Sequence, residues 1–105
     1  MNRVNIYMHG VLAGVFSKKP ESGGYCFQYT SDYQGPPISL TMPVRQQAFD
    51  YETFPPFFDG LLPEGLQLEG LLKLAKIDRN DYFAQLVTVG SDLVGAVTVE
   101  EINAF

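Results

Sequence analysis

The sequence has few of the residues on which catalytic and metal sites are usually built. It contains one cysteine, Cys26, and one histidine, His9. A single cysteine excludes an internal disulfide, and one Cys with one His cannot form a Cys/His zinc site within one chain. His9 precedes Gly10 in a predicted turn, where a solvated histidine is far more common than a catalyst. Cys26 alternates with Tyr25 and Phe27 in a predicted strand, as a small apolar filler does.

Basic residues and long apolar runs are also missing. Seven Lys and Arg against twelve Asp and Glu give a net charge of −5, so direct binding to nucleic acid is not expected, whereas a basic surface of a partner protein would suit this charge. No run approaches the roughly 18 apolar residues of a membrane span, and no signal peptide is visible. The sequence therefore predicts a cytoplasmic protein, folded as a single domain over residues 1–105.

No pattern in the chain predicts an enzyme. The spacing of Gly10 and Gly14 does not match a phosphate-binding loop, and no Gly-Lys-Ser/Thr motif is present. The acidic residues of the central region are Asp50, Glu52, Asp59, Glu64 and Glu69. Glycoside hydrolysis needs two carboxylates on opposite sides of a cleft. Acidic residues at this density, however, usually form a solvated surface. We expect no catalytic residues, no cofactor and no metal.

Alternation of apolar and polar residues predicts four strands before any helix. They are expected at 3–8, 11–16, 25–30 and 38–44. A turn at His9-Gly10 joins the first two strands, and the fourth places Ile38, Leu40 and Met42 on one face.

Helices are predicted at 55–62, from Pro63 or Glu64 to Lys76, and near 80–88, the last with Asp78 or Asn80 as N-cap. A final strand is predicted at 93–99. This order gives an α+β fold: a small, antiparallel, partly barrel-like sheet of about five strands, with two or three helices inserted before the last strand.

The segment FFDGLLPEGLQLEGLL (57–72) combines leucines with glycines. At about 100° per residue, one apolar stripe forms on the second helix and is expected to pack on the sheet. That stripe consists of Leu68, Leu71, Leu72 and Ala75. Leu66 lies about 160° from Leu68, beside Gly70 and Lys73. A glycine there costs roughly 1 kcal/mol relative to alanine and leaves bare backbone beside Leu66.

A protruding corner precedes this helix at LLPEG (61–65). It holds more apolar side chains than one short amphipathic turn can bury, Pro63 fixes φ, and Gly65 loosens the start of the helix. Such a corner suits a cleft on a partner protein. Single exposed leucines are also ordinary on protein surfaces, so both interpretations of Leu66 stay open on these grounds.

Two blocks, FFDGLLPEG (57–65) and VGSDLVGAVTV (89–99), resemble the first N-terminal subdomain of HipA-type kinases. Three earlier segments also look like that family and occur in the same order: the hairpin with Gly14, the strand YCFQYT and the segment PISLTMPV (37–44). The resemblance therefore covers nearly the whole chain. HipA-type kinases continue into a second subdomain and a kinase core. A chain of this length resembles the HipS family, the small separate proteins of tripartite HipBST toxin–antitoxin systems.

This resemblance implies a non-enzymatic antitoxin that binds and neutralises a HipA/HipT-like Ser/Thr kinase toxin, with the LLPEGL corner at or near the kinase active site. A large aromatic residue after LLPEG is implied to reach toward that site, and Leu66 holds the position here. The expected partner-binding residues are Phe58, Leu61, Leu62, Pro63, Glu64, Gly65, Leu66 and Gly70. A HipB-like DNA-binding protein is the further partner implied, in a ternary complex.

Two other functions stay open at this stage. The domain could be an assembly or scaffolding subunit that stabilises a kinase–HipB-like repressor complex without blocking the active site. It could also be a small carboxylate-dependent hydrolase that uses Asp59, Glu64 or Glu69.

Overall fold

One antiparallel sheet carries three α-helices between its fourth and fifth strands. The structure, a computed structural model, describes residues 2–93 and 95–102. In chain order the elements are β1 (Arg3–Met8), β2 (Val11–Lys18), β3 (Tyr25–Tyr29), β4 (Phe49–Tyr51), α1 (Pro56–Asp59), α2 (Gly65–Ala75), α3 (Tyr82–Val89), a 3-10 helix (Gly90–Asp92) and β5 (Val97–Glu101). The predicted α+β class, with helices before the last strand, is confirmed. The strand order is β4-β3-β2-β1-β5, and the sheet is open rather than closed into a barrel.

The first hairpin turns at the predicted dipeptide. His9 has φ 51° and Gly10 has φ 79°, and positive φ at both central residues matches the twist of two-residue hairpins. Ile6 of β1 pairs with Gly14 of β2, whereas the next residue, Tyr7, pairs with Leu12. Ala13 therefore has no partner in β1 and is the extra residue of a β-bulge. This bulge turns both Ala13 and Gly14 toward the buried face.

The core lies between one face of the sheet and the helices α1 and α3. Its larger buried strand residues are Val4, Ile6, Phe16, Tyr25, Phe27, Tyr29, Phe49, Val97 and Val99. Phe16 is at the centre: its ring stacks on Phe58 of α1 with 4.1 Å between centroids and lies 5.6 Å from Phe83 of α3. Aromatic contacts therefore fix α1 and α3 against the sheet.

The predicted fourth strand at 38–44 is wrong. Residues 39–42 form a tight turn with one isolated bridge, Ser39 to Met42, while Leu40 sits at the tip with 98% of its surface exposed. The Tyr29 hydroxyl fixes the turn, because it accepts from the Ile38 amide (3.0 Å) and donates to the Met42 carbonyl (2.5 Å). The strand that pairs with β3 is instead Phe49–Tyr51, which is too short to show a hydrophobic period.

Helices lie in each of the three predicted segments, but their bounds and caps differ from the prediction. α1 is shorter than expected, α2 matches closely, and α3 begins after Asp81, whose carboxylate accepts from the Ala84 amide at 3.1 Å. Neither Asp78 nor Asn80 is the N-cap: Asp78 accepts from the Asn80 amide and forms the preceding turn. None of the helices within residues 2–93 and 95–102 has the length and apolarity needed to cross a bilayer.

The last strand begins later than predicted. It was expected from residue 93, whereas β5 starts at Val97 and pairs with β1. Val94, in the middle of the predicted segment, lies outside the described residues.

Candidate functional site

The corner between α1 and α2 contains most of the residues expected to bind a partner. α1 begins with Pro56 after the extended Pro55, and it directs Phe58 into the core, where that side chain is fully buried. Leu61 and Leu62 follow in two turns. Their backbone amides donate hydrogen bonds to the carbonyls of Phe58 and Asp59, respectively, each at 3.1 Å. Both leucines are partly buried against the core. This half of the segment therefore fixes the corner to its own domain.

The chain then turns away from the core at Gly65. Glu64 is extended, with φ −130°, and Gly65 has φ +59°, a left-handed conformation that favours glycine. No atom lies within 4 Å of where a Cβ of Gly65 would be, so the glycine is required by backbone direction and not by crowding. The turn places Leu66 in the first turn of α2, where 91% of its surface is exposed.

The expected partner-binding residues therefore fall into two groups. Phe58 belongs to the core and cannot contact a partner directly. Leu61, Leu62 and Pro63 are partly accessible, and the exposed members are Glu64, Gly65, Leu66 and Gly70. Together these accessible residues form the corner surface.

The expectation that α2 packs on the sheet is wrong. Leu68, Leu71 and Leu72 are only partly buried, Ala75 is exposed, and no residue of α2 is buried. The apolar residues that pack against the core come from other segments, including Phe54, Phe57, Leu61 and Leu62. Because these side chains and α3 already cover the sheet, α2 rests beside α3 at the margin of the domain.

Two exposed leucines were not identified from the sequence as accessible. Leu74, near the end of α2, is 87% exposed. It is eight residues after Leu66, and a helical projection would have placed both on the same side. Leu40 shares one face of the predicted strand at 38–44 with Ile38 and Met42, and only the turn at 39–42 shows that its side chain is exposed.

The titratable groups form no catalytic arrangement in the part of the chain that is described. Asp59, Glu64 and Glu69 are all exposed, and Glu69 forms an ion pair with Arg79. Burial, more than the nearby Asp50 carboxylate, raises the pKa of the Cys26 thiol, which favours the unreactive protonated form at neutral pH. Over residues 2–93 and 95–102, no three His, Cys, Asp or Glu side chains are grouped to hold a metal ion.

Comparison with known proteins identifies the family. The model of the HipA N-terminal domain matches residues 4–100. The chain belongs to the HipA N-terminal domain family. An uncharacterized protein of Haemophilus influenzae is similar to this HipA N-terminal domain, with 33% identity over 91% of the chain and 89% of the relative. "Putative kinase Y4mE" of Sinorhizobium fredii is 30% identical over 90% of the chain, which spans only 23% of that longer protein.

Solved structures agree with this family. The chain is similar to a structure described as the N-terminal domain of HipA toxin, with TM-score 0.72, 30% identity, and coverage of 98% of this chain and 96% of the other. It also shares its fold with part of a chain in a complex of Shewanella oneidensis MR-1 HipA, HipB and operator DNA. That match has TM-score 0.81, 23% identity, and coverage of 97% of this chain and 24% of the other.

Proposed function

We propose that the chain is a non-enzymatic antitoxin that binds and neutralises a HipA/HipT-like Ser/Thr kinase toxin. Its HipA N-terminal domain family, and its similarity to the solved N-terminal domain of a HipA toxin, support a role related to HipA-type toxin–antitoxin systems. The observation that carries the more specific proposal is Leu66. Its side chain is 91% exposed at the start of a helix with no buried residue, and such an apolar projection suits a partner's cleft.

The proposed docking element is the corner surface, with Leu66 at its tip, placed at or near the kinase active site. Phe58 contributes indirectly, because its packing on Phe16 holds the corner in place. A kinase is the proposed partner because one relative with kinase in its name contains a similar segment within a longer chain. A HipB-like DNA-binding protein is the second proposed partner, since the complex of similar fold contains HipB and operator DNA.

Replacement of Leu66 by aspartate tests this proposal. The change places a charge at a site with almost no intramolecular contact, so the fold is expected to be unaffected. We expect binding to a purified HipA-type kinase that lacks its own N-terminal domain to weaken at least about 30-fold, which corresponds to a hot-spot loss of about 2 kcal/mol. In cells that express this kinase, Leu66→Asp should fail to restore growth.

Leu40→Asp is the matched control, since it puts the same charge at a leucine with 98% exposure on a different element. It should bind and protect as the wild type does. If Leu66→Asp also protects as well as the wild type, the corner is not the docking element.

Phosphorylation assays separate this proposal from the assembly alternative. With saturating protein, an antitoxin that acts at or near the active site should abolish phosphate transfer from ATP by the kinase. If the kinase is bound and phosphate transfer continues at its full rate, the chain is instead an assembly subunit of the kinase–repressor complex.

A further inference from the structure

The exposed side of α2 carries an apolar row that extends about one helical turn beyond the corner surface. Leu66, Gly70 and Leu74 are spaced four residues apart, so they lie within about 80° of one another around the helix. The two leucines are 91% and 87% exposed. No atom lies within 4 Å of the position that a Cβ of Gly70 would take. We call these three residues the α2 outer row.

The row is poorly explained by the needs of the domain itself. Isolated helices shorter than about 12 residues are marginal in water, and most helices are held by an apolar face packed on the protein. α2 has 11 residues and buries none of them. Two large leucines exposed on the same side of such a helix make this side a candidate interaction surface.

The size of the row favours a groove over a second copy of this chain. A stable interface buries about 800 Å² on each partner. α2 is about 16 Å long, and two copies that met through three residues each would bury far less than that. A groove on another protein encloses the helix on more than one side, as in other complexes where an amphipathic helix lays its apolar face in a hydrophobic groove.

Charge next to the row indicates what borders that groove. Glu69 is neutralised by its ion pair with Arg79, whereas Lys73 has no ion pair among the described residues. A shallow depression beside Gly70 is lined by Glu69, Arg79, Leu72 and Lys73. The border of the row is therefore locally cationic in a chain with net charge −5, and it suits a partner carboxylate.

We infer that the α2 outer row lies in an apolar groove of the partner kinase, where the kinase approaches the bare backbone at Gly70 and places a carboxylate beside Lys73. This inference rests on the proposed function and adds to it Leu74, the open position at Gly70 and the charge of the groove.

Titration calorimetry with the same HipA-type kinase tests the inference. Leu74→Asp should weaken binding at least tenfold, and Lys73→Glu about fivefold. Gly70→Gln is the most informative variant: the free protein has room for the side chain and glutamine is a better helix former, so its melting temperature should equal or exceed that of the wild type. Its binding should nevertheless weaken at least tenfold because the side chain occupies the space the kinase needs. Leu40→Asp again serves as the control.

Three distinguishable outcomes would overturn either the proposed function or this inference. If the wild type does not bind the kinase, the proposed function is wrong. If the wild type binds and both Leu74→Asp and Gly70→Gln bind within twofold of it, the inference is wrong and the proposed function stands. If sedimentation shows a wild-type dimer that Leu74→Asp dissociates, a second copy occupies the row, and the inference is again wrong.

Discussion

Phe58→Ala is expected to lower the free energy of unfolding by about 3–5 kcal/mol, the usual cost of removing a buried phenylalanine ring. Phe58 is fully buried, its ring stacks on Phe16 at 4.1 Å, and Phe57 lies against it at 5.2 Å between centroids. Denaturant unfolding at equilibrium measures the change.

Leu66→Ala is the control for this measurement, because it truncates an apolar residue of the same segment at an exposed site. It should change the free energy of unfolding by no more than about 0.5 kcal/mol. The assignment of Phe58 to the core and Leu66 to the surface would be contradicted if the two variants lost similar stability.

Gly90→Ala should also destabilise the fold, by about 1–3 kcal/mol or more, through overpacking. An added Cβ would lie 2.3 Å from the Val99 carbonyl oxygen and 2.9 Å from the Val99 Cβ. The backbone of Gly90 is right-handed, with φ −53°, so alanine is sterically excluded rather than conformationally strained. Relief requires the 3-10 helix to move away from β5.

Gly70→Ala is the matched comparison, since the same methyl group enters open space on α2. It should raise the free energy of unfolding by up to about 1 kcal/mol, because alanine is the better helix former. Thermal or denaturant melts of the pair should therefore shift in opposite directions. A stable Gly90→Ala variant would mean that the 3-10 helix does not approach β5 as closely as described.

Short sequence patterns were sufficient to predict the first hairpin and the second helix. The first hairpin follows from His9-Gly10, because few dipeptides accept positive φ at both positions. The bounds of α2 follow from Pro63 before it and the end of its apolar pattern. The VGSDLVGAV block (89–97) carried the family resemblance, and the structure gives one physical reason for its glycine at position 90, the close approach to Val99.

The turn at 39–42 and the exposure of α2 depend on tertiary contacts and could not be predicted from local sequence patterns. Leu40 alternates with Ile38 and Met42 as in a strand, yet the Tyr29 hydroxyl holds Ile38 and Met42 in a tight turn that points Leu40 outward. A helical projection shows which residues of α2 share a side, but it does not show what covers that side. The sheet was already covered by aromatic residues at 54–58, so even the inner leucines of α2 are only partly buried.

Hydrogen exchange of the α2 amides tests most directly whether this helix is the kinase-binding element. In the free protein these amides should exchange much faster than those of β1 and β2, because α2 has no buried side chain to hold it closed. At saturating kinase we expect their exchange to slow at least tenfold, while amides near Leu40 are unaffected. Exchange in α2 that is unchanged when the kinase is fully bound would contradict the account.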